Sequence, residues 1–227
     1  SCIEDKNDIE RIHSDCDSII KNKMSSFHKN WQSIFPSEVQ EVRIKNDKST
    51  HIADIVFEKQ DQKINFVDDK DRPLLKLWAR KLIIEIQHSP LSQHQVERRE
   101  LFYREKNTTS EDSLSDLLWI IDISETGYIQ SNIDTLNKSY TKFAFPTKHS
   151  IALLNLIAHY ESQSRVNRPN ILLDTGGEYL YFMHLIPKLN IEFVKTRSIT
   201  KTNFFAQLEK YIPMEATKFP LVSKPLR

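Results

Sequence analysis

Apolar residues in this chain fall mostly into short strand-like runs, and two of those runs carry acids. Residues 82–87 read Leu-Ile-Ile-Glu-Ile-Gln, so strand alternation sends Glu85 and Gln87 to one face. Residues 51–57, His-Ile-Ala-Asp-Ile-Val-Phe, set Asp54 in a similar context. Strands are predicted over 38–44 and 52–58, joined by a turn at 45–49, and again over 117–123 and 170–174. Thr175-Gly176-Gly177 is a turn, and another element begins at Tyr179. Met24, Phe27, Trp31 and Phe35 recur at helical spacing and predict a helix over 24–35, which Pro36 ends. A second helix is expected over 92–104, with Ser92 as its cap and Val96, Leu101 and Phe102 facing inward. Helices are also expected over 151–162 and 202–211, the latter with Phe204, Phe205 and Leu208 on one side. Residues 59–80 show no clear period, and 68–73 read as an exposed loop. Residues 124–147 read as a linker. This order of elements belongs to an α/β or α+β sheet with helices packed on it.

Composition narrows the classes. A chain of 227 residues is long enough for one substantial core with a smaller appended subdomain. Only 3 glycines are present, without a GxxxxGK[ST] or GxGxxG pattern, so no nucleotide cofactor is expected. No apolar run is long enough to span a membrane, and no signal-peptide pattern opens the chain. Its start on Ser1 reads as processed or trimmed. The 2 cysteines, Cys2 and Cys16, cannot make a disulfide framework, which points to the cytoplasm. A net charge of +1 neither supports nor excludes nucleic acid, because overall balance hides a local basic face.

A carboxylate in an apolar strand is costly without a cation or a hydrogen-bonding network. Asp54 and Glu85 on neighbouring strands would suit a hard divalent cation such as magnesium. Ion pairs with Lys or Arg from another strand are the structural alternative. His28 then reads as a hydrogen-bonded helix residue, His51 and His88 as strand-end residues, and Glu41 as an exposed strand acid. Arg98 and Arg99 beside Glu97 and Glu100 read as a solvated helix face, and Trp31 and Trp119 as core.

Three segments together resemble the CoiA-like (competence protein) nucleases, a branch of the PD-(D/E)XK superfamily. They are Ser26-Phe27-His28-Lys29-Asn30-Trp31-Gln32, His51-Ile52-Ala53-Asp54-Ile55 and Glu85-Ile86-Gln87-His88-Ser89-Pro90-Leu91. A helix with Arg98, Arg99 and Tyr103 and the strand Leu118-Trp119-Ile120 follow as that pattern expects. The match covers roughly residues 13–122, and residues 171–176 resemble a strand of some longer members more weakly. Gln87 stands where the superfamily usually has lysine, which supports the fold better than the activity.

The resemblance implies an α/β protein with a restriction-endonuclease-like central mixed β-sheet flanked by helices and a C-terminal α/β extension. Residues 1–22 would be an N-terminal segment, 23–123 the nuclease-like core and 124–227 the extension. Cys2, His13 and Cys16 invite comparison with an amino-terminal zinc module, but they lack CxxC spacing, and a structural zinc is disfavoured. The implied function is metal-dependent endonucleolytic hydrolysis of DNA in uptake, restriction or defence, with magnesium or manganese as cofactor. Asp54 and Glu85 would hold the metal, with Glu41 as a supplementary ligand. Gln87 would orient the attacking water, and His28 would bond a metal-held water or move a proton. Ser89, Arg98 and Arg99 would meet the phosphate backbone, with Tyr103 supporting or stacking. The alternative is a catalytically idle module that binds DNA or a partner protein. Assembly with a partner or with itself is compatible with either.

Overall fold

Strand β5 (Lys81–Gln87) organises the molecule, because every position from Leu82 to Gln87 is buried. A strand can hide both faces only between two layers. Leu82, Ile84 and Ile86 pack into a cluster with Trp31 and Ile34, whereas Ile83 packs with Ile44, Ala53, Val56, Phe102 and Tyr103. The computed structural model describes residues 26–45, 50–58, 64–77, 81–88, 91–105, 115–124, 129–135, 138–144, 170–185 and 194–211. The segment 1–22, with Cys2, His13 and Cys16, lies outside them, as do Ser89 and the helix expected over 151–162.

The described strands are β1 (Gln40–Lys45), β2 (Thr50–Glu58), β3 (Ile64–Val67), β4 (Pro73–Leu77), β5, β6 (Ser115–Asp122), β7 (Ile129–Thr135), β8 (Lys138–Ala144), β9 (Asn170–Asp174), β10 (Tyr179–Leu185) and β11 (Val194–Thr200). The helices are α1 (Ser26–Gln32), α2 (Gln93–Glu105) and α3 (Lys201–Leu208). Nine strands form one mixed sheet in the order β1-β2-β5-β6-β9-β10-β11-β8-β7. β5, β6 and β9 run parallel at its centre, and the outer pairs are antiparallel. The protein is therefore mixed α/β, with a large sheet and few described helices. Parallel neighbours need a crossover, and α2 lies in the one between β5 and β6.

The structure departs from or refines the sequence reading in several places. The stretch expected as a linker contains the hairpin β7–β8, whose β8 joins β11. The division expected after residue 123 falls between sheet neighbours, since β9 lies beside β6. The loop expected over 68–73 is the tight turn of the hairpin β3–β4. Asp68 is buried in that turn and accepts hydrogen bonds from the N–H groups of Lys70 and Arg72, both at 2.9 Å, and from Arg72 Nε at 2.6 Å. Gln207 of α3 fastens the hairpin: its amide accepts from Val67 N–H and donates to Val67 C=O, each at 2.9 Å.

Helix α2 begins as its sequence predicts. Ser92 Oγ accepts from Gln95 N–H at 3.2 Å, and Gln95 Oε1 accepts from Ser92 N–H at 2.8 Å, a reciprocal capping box. Its inner face differs from expectation, with Val96, Phe102 and Tyr103 buried and Leu101 exposed.

Candidate functional site

Asp54 sits where β2 changes face. Ile55 and Phe57 pack on the side of α1, whereas Ala53 and Val56 pack on the side of α2. Regular alternation would put Ala53 and Ile55 together, so the break falls at Asp54. The register with β1 pairs Gln40 with Ile55 and Val42 with Ala53, which leaves Glu41 opposite Asp54. Glu41 has φ +47, a left-handed backbone that costs a non-glycine residue about 1–2 kcal/mol. The kink releases Asp54 from strict alternation and lets its carboxyl reach both β5 and α1. Asp54 Oδ2 accepts from Ile86 N–H at 2.6 Å, and Oδ1 lies 3.3 Å from His28 Nε2.

Glu85 lies one step beyond the Ile55–Ile84 pair in the β2–β5 register, on the strand next to Asp54. It is 1% exposed and engaged on both oxygens. Arg99 Nη1 donates to Oε2 at 2.8 Å, and the Tyr103 hydroxyl donates to Oε1. His51 Nε2 stands 3.7 Å from Oε1, an ion-pair distance rather than a hydrogen bond. Arg99 and Tyr103 are four residues apart on α2 and so share a helical face. The guanidinium also lies over the Trp119 ring, 5.9 Å from its centroid.

Electrostatics distinguish the two acids. Burial pushes the Asp54 carboxyl above its ordinary range and the charge of Glu85 adds to this, while His28 and the Ile86 N–H oppose it. Burial disfavours the Glu85 carboxylate as well, but His51, Arg99 and Tyr103 outweigh it and hold Glu85 below its ordinary range. Burial would lower His28, yet Asp54, with Glu41 and Glu85 behind it, raises it. Asp54 and His28 therefore both gain proton affinity, and the pair retains a proton more readily than either group in water. Burial and the adjacent Glu85 push the Tyr103 phenol far above its ordinary value, so it stays a donor.

The remaining expected residues fall in different places. Gln87 is buried at the end of β5. Glu41 is exposed and bears on the site through its charge on His28. Arg98 is exposed on α2. Arg99, expected against the phosphate backbone, lies against Glu85, and so does Tyr103, expected to support or to stack; a phenol only 4% exposed is closed to a stacking base. Among the described residues, no group of three or more His, Cys, Asp or Glu is arranged to hold a metal ion. The donors suit a hard cation nonetheless, since two desolvated carboxylates of which one disfavours the other's charge would gain from a divalent counter-charge. Magnesium in particular takes one or two protein carboxylates and completes its shell with water and phosphate.

A second polar cluster, which sequence reasoning missed, lies at the carboxyl ends of β5, β6 and β9. Asp122 and Asp174 are paired in register. Asp122 Oδ2 lies 2.7 Å from His88 Nδ1, and its Oδ1 accepts from Ser124 N–H at 2.8 Å. Asp174 Oδ2 accepts from Trp31 Nε1 at 3.0 Å, and its Oδ1 accepts from Gly176 N–H at 2.8 Å and faces Lys201 Nζ at 2.9 Å. Gly176 has φ +78, a turn conformation open to glycine, and a Cβ there would come within 3.2 Å of Ser124 Cβ. The available signal was an acid closing each apolar strand, Ile-Ile-Asp in β6 and Leu-Leu-Asp in β9.

Comparison with protein-family models, with curated proteins and with solved structures finds no match for this chain. Among the described residues, no helix is long and apolar enough to cross a membrane. The functional reading therefore rests on the geometry.

Proposed function

We propose that this chain is a metal-dependent nuclease that hydrolyses DNA phosphodiesters, built on a restriction-endonuclease-like sheet and serving DNA uptake, restriction or defence. The observation that carries this reading is the placement of Asp54 and Glu85, two desolvated carboxylates that face each other on neighbouring strands one step beyond the Ile55–Ile84 pair, each beside a histidine. Asp54 and Glu85 would hold the divalent cation. When bound, such a cation supplies Lewis acidity toward the phosphate and toward water.

The chain's own residues prepare that site. Arg99 and Tyr103 keep Glu85 ionised and fix its rotamer from one helical face. The Ile86 N–H orients Asp54. Gln87 offers an amide that can orient a water but carries no charge. His28, with its proton affinity raised by Asp54, is a residue beside this site that can carry the positive charge Gln87 lacks. The test is cleavage of circular and linear, single- and double-stranded DNA with magnesium, manganese or chelator. Metal-dependent cutting should be lost in both Asp54→Ala and Glu85→Ala while both variants still unfold cooperatively. A parent that never cuts, or cutting indifferent to both substitutions, would sink the assignment.

One observation favours a second reading. Both oxygens of Glu85 already have protein partners, as in a nuclease fold whose site is idle and which only binds DNA or a partner protein. Such a module should bind DNA as tightly with chelator as with magnesium.

A further inference from the structure

Hydrolysis needs a group that takes a proton from water, and the groups nearest Asp54 and Glu85 are already engaged. Glu85 is held by Arg99 and Tyr103, His28 turns its Nε2 to Asp54, His51 turns a buried Nε2 to Glu85, and Gln87 has no titratable proton. His88, the residue after Gln87, is differently placed. Its Nδ1 lies 2.7 Å from Asp122 Oδ2. A carboxylate oxygen only accepts, so a proton sits on Nδ1, and in the neutral imidazole the lone pair is then on Nε2. The Asp122 side chain is 3% exposed and fixed by Ser124 N–H, whereas the His88 side chain is 34% exposed. A buried acid thus orients an accessible imidazole. The ring also stacks on Phe27, 6.3 Å between centroids, and the next residue of α1, His28, is the one that meets Asp54. The first turn of α1 therefore links His88 to the carboxylate site.

We propose that His88, oriented by Asp122, is the proton acceptor of this site, an inference that rests on the nuclease reading above. A proton of the attacking water passes to Nε2 as the water oxygen bonds to phosphorus. The bond from phosphorus to the leaving sugar oxygen breaks, and the proton returns to that oxygen through solvent. No co-reactant beyond water is consumed. Asp122 on β6 is the charged group shown in contact with the ring; Asp174, its register partner on β9 bound to Lys201 of α3, and the His28–Asp54 pair lie on the neighbouring elements.

The deciding experiment has two parts. Nitrogen-15 NMR of the parent should show the Nδ1–H tautomer of His88, and Asp122→Asn should disturb it. A parent ring protonated on Nε2 instead overturns the proposal whatever the activity. Cleavage rates are then followed against pH at saturating magnesium, with folding checked by thermal unfolding. His88→Gln should cut about 100-fold or more slowly and lose the rising acid limb of the parent profile. Asp122→Asn should keep the fold and slow cleavage, because the wrong tautomer is presented. If the parent cuts and His88→Gln keeps its rate and profile, the proton acceptor is refuted and the nuclease stands. A parent that never cuts removes both.

Discussion

The sheet holds two pairs of acids on adjacent strands, each with one acid on a permanent cation and one beside a histidine, and Asp174 and Asp54 mark the extremes of compensation. At the β6–β9 pair, Asp174 meets a lysine ammonium, an indole N–H and a backbone N–H, all in the interior. At the β2–β5 pair, only Glu85 meets a permanent cation, and Asp54 depends on a histidine and one backbone N–H. The first arrangement joins α1, β9 and α3 at a single carboxylate. The second leaves an acid whose charge is disfavoured by burial and by its neighbour. A saturated acid holds a fold together, and an under-compensated one is available to a ligand.

Substitutions should separate the two pairs. The largest effect is expected for Asp174→Ala, which removes the buried carboxylate that Lys201 and the Trp31 indole N–H both meet and should cost about 3–5 kcal/mol in denaturant unfolding. Asp54→Ala should shift stability by no more than about 1 kcal/mol, because removing a disfavoured charge offsets the bond lost from Ile86. Equal losses at both positions would erase the distinction.

Next comes Arg99→Met, which takes the permanent cation from Glu85 while keeping much of the packing against Trp119. A loss of about 1.5–3 kcal/mol is expected, as for a hydrogen bond to a charged group. Tyr103→Phe removes one donor from the same carboxylate and should cost about 1 kcal/mol. Cleavage should fall roughly 10–100-fold in that variant if Tyr103 orients a metal-holding acid. Full cleavage by Tyr103→Phe would mean that Glu85 needs no such support.

The smallest effect is a pH dependence of stability. Glu85 is held below its ordinary 4.5, so its contribution is complete above that value and fades as pH falls through the lowered one. His28 is raised above 6.5, so its contribution is complete below 6.5 and fades as pH rises through the raised value. Glu85→Gln should therefore flatten the acid side of a plot of unfolding midpoint against pH, and His28→Asn the side above 6.5. Unchanged limbs in both variants would contradict these assignments.

Legibility in the sequence followed local contrast. β5 and β6 could be read from their apolar runs, 82–86 broken only by Glu85 and 117–121 unbroken, and Asp54 stood out in the same way in β2. β7 and β8, Ile-Gln-Ser-Asn-Ile-Asp-Thr and Lys-Ser-Tyr-Thr-Lys-Phe-Ala, are so polar that they resemble a linker, and pairing in the sheet decides their form. β3 and β4 are four and five residues long around a charged turn, too short for a period to show. Arg99 and Tyr103 could be singled out along α2, but not the Glu85 carboxylate that both meet, because spacing fixes a helical face and not what that face meets. Trp31 looked like plain core, yet its indole N–H answers an acid 143 residues away. No window along the chain contains that pairing.

The hydrogen bond from Trp31 to Asp174 has a consequence for any attempt to shorten the chain. A fragment ending near Ile123 would keep every residue of the proposed catalytic centre and still be a poor miniature of it. β6 would lose the neighbour that covers its far side and present Leu-Leu-Trp-Ile-Ile as a bare apolar edge, an invitation to intermolecular strand pairing. The helix bearing His28 would lose its anchor at the same cut. The half of the chain that looks like an appendage supplies the backing against which the other half is braced.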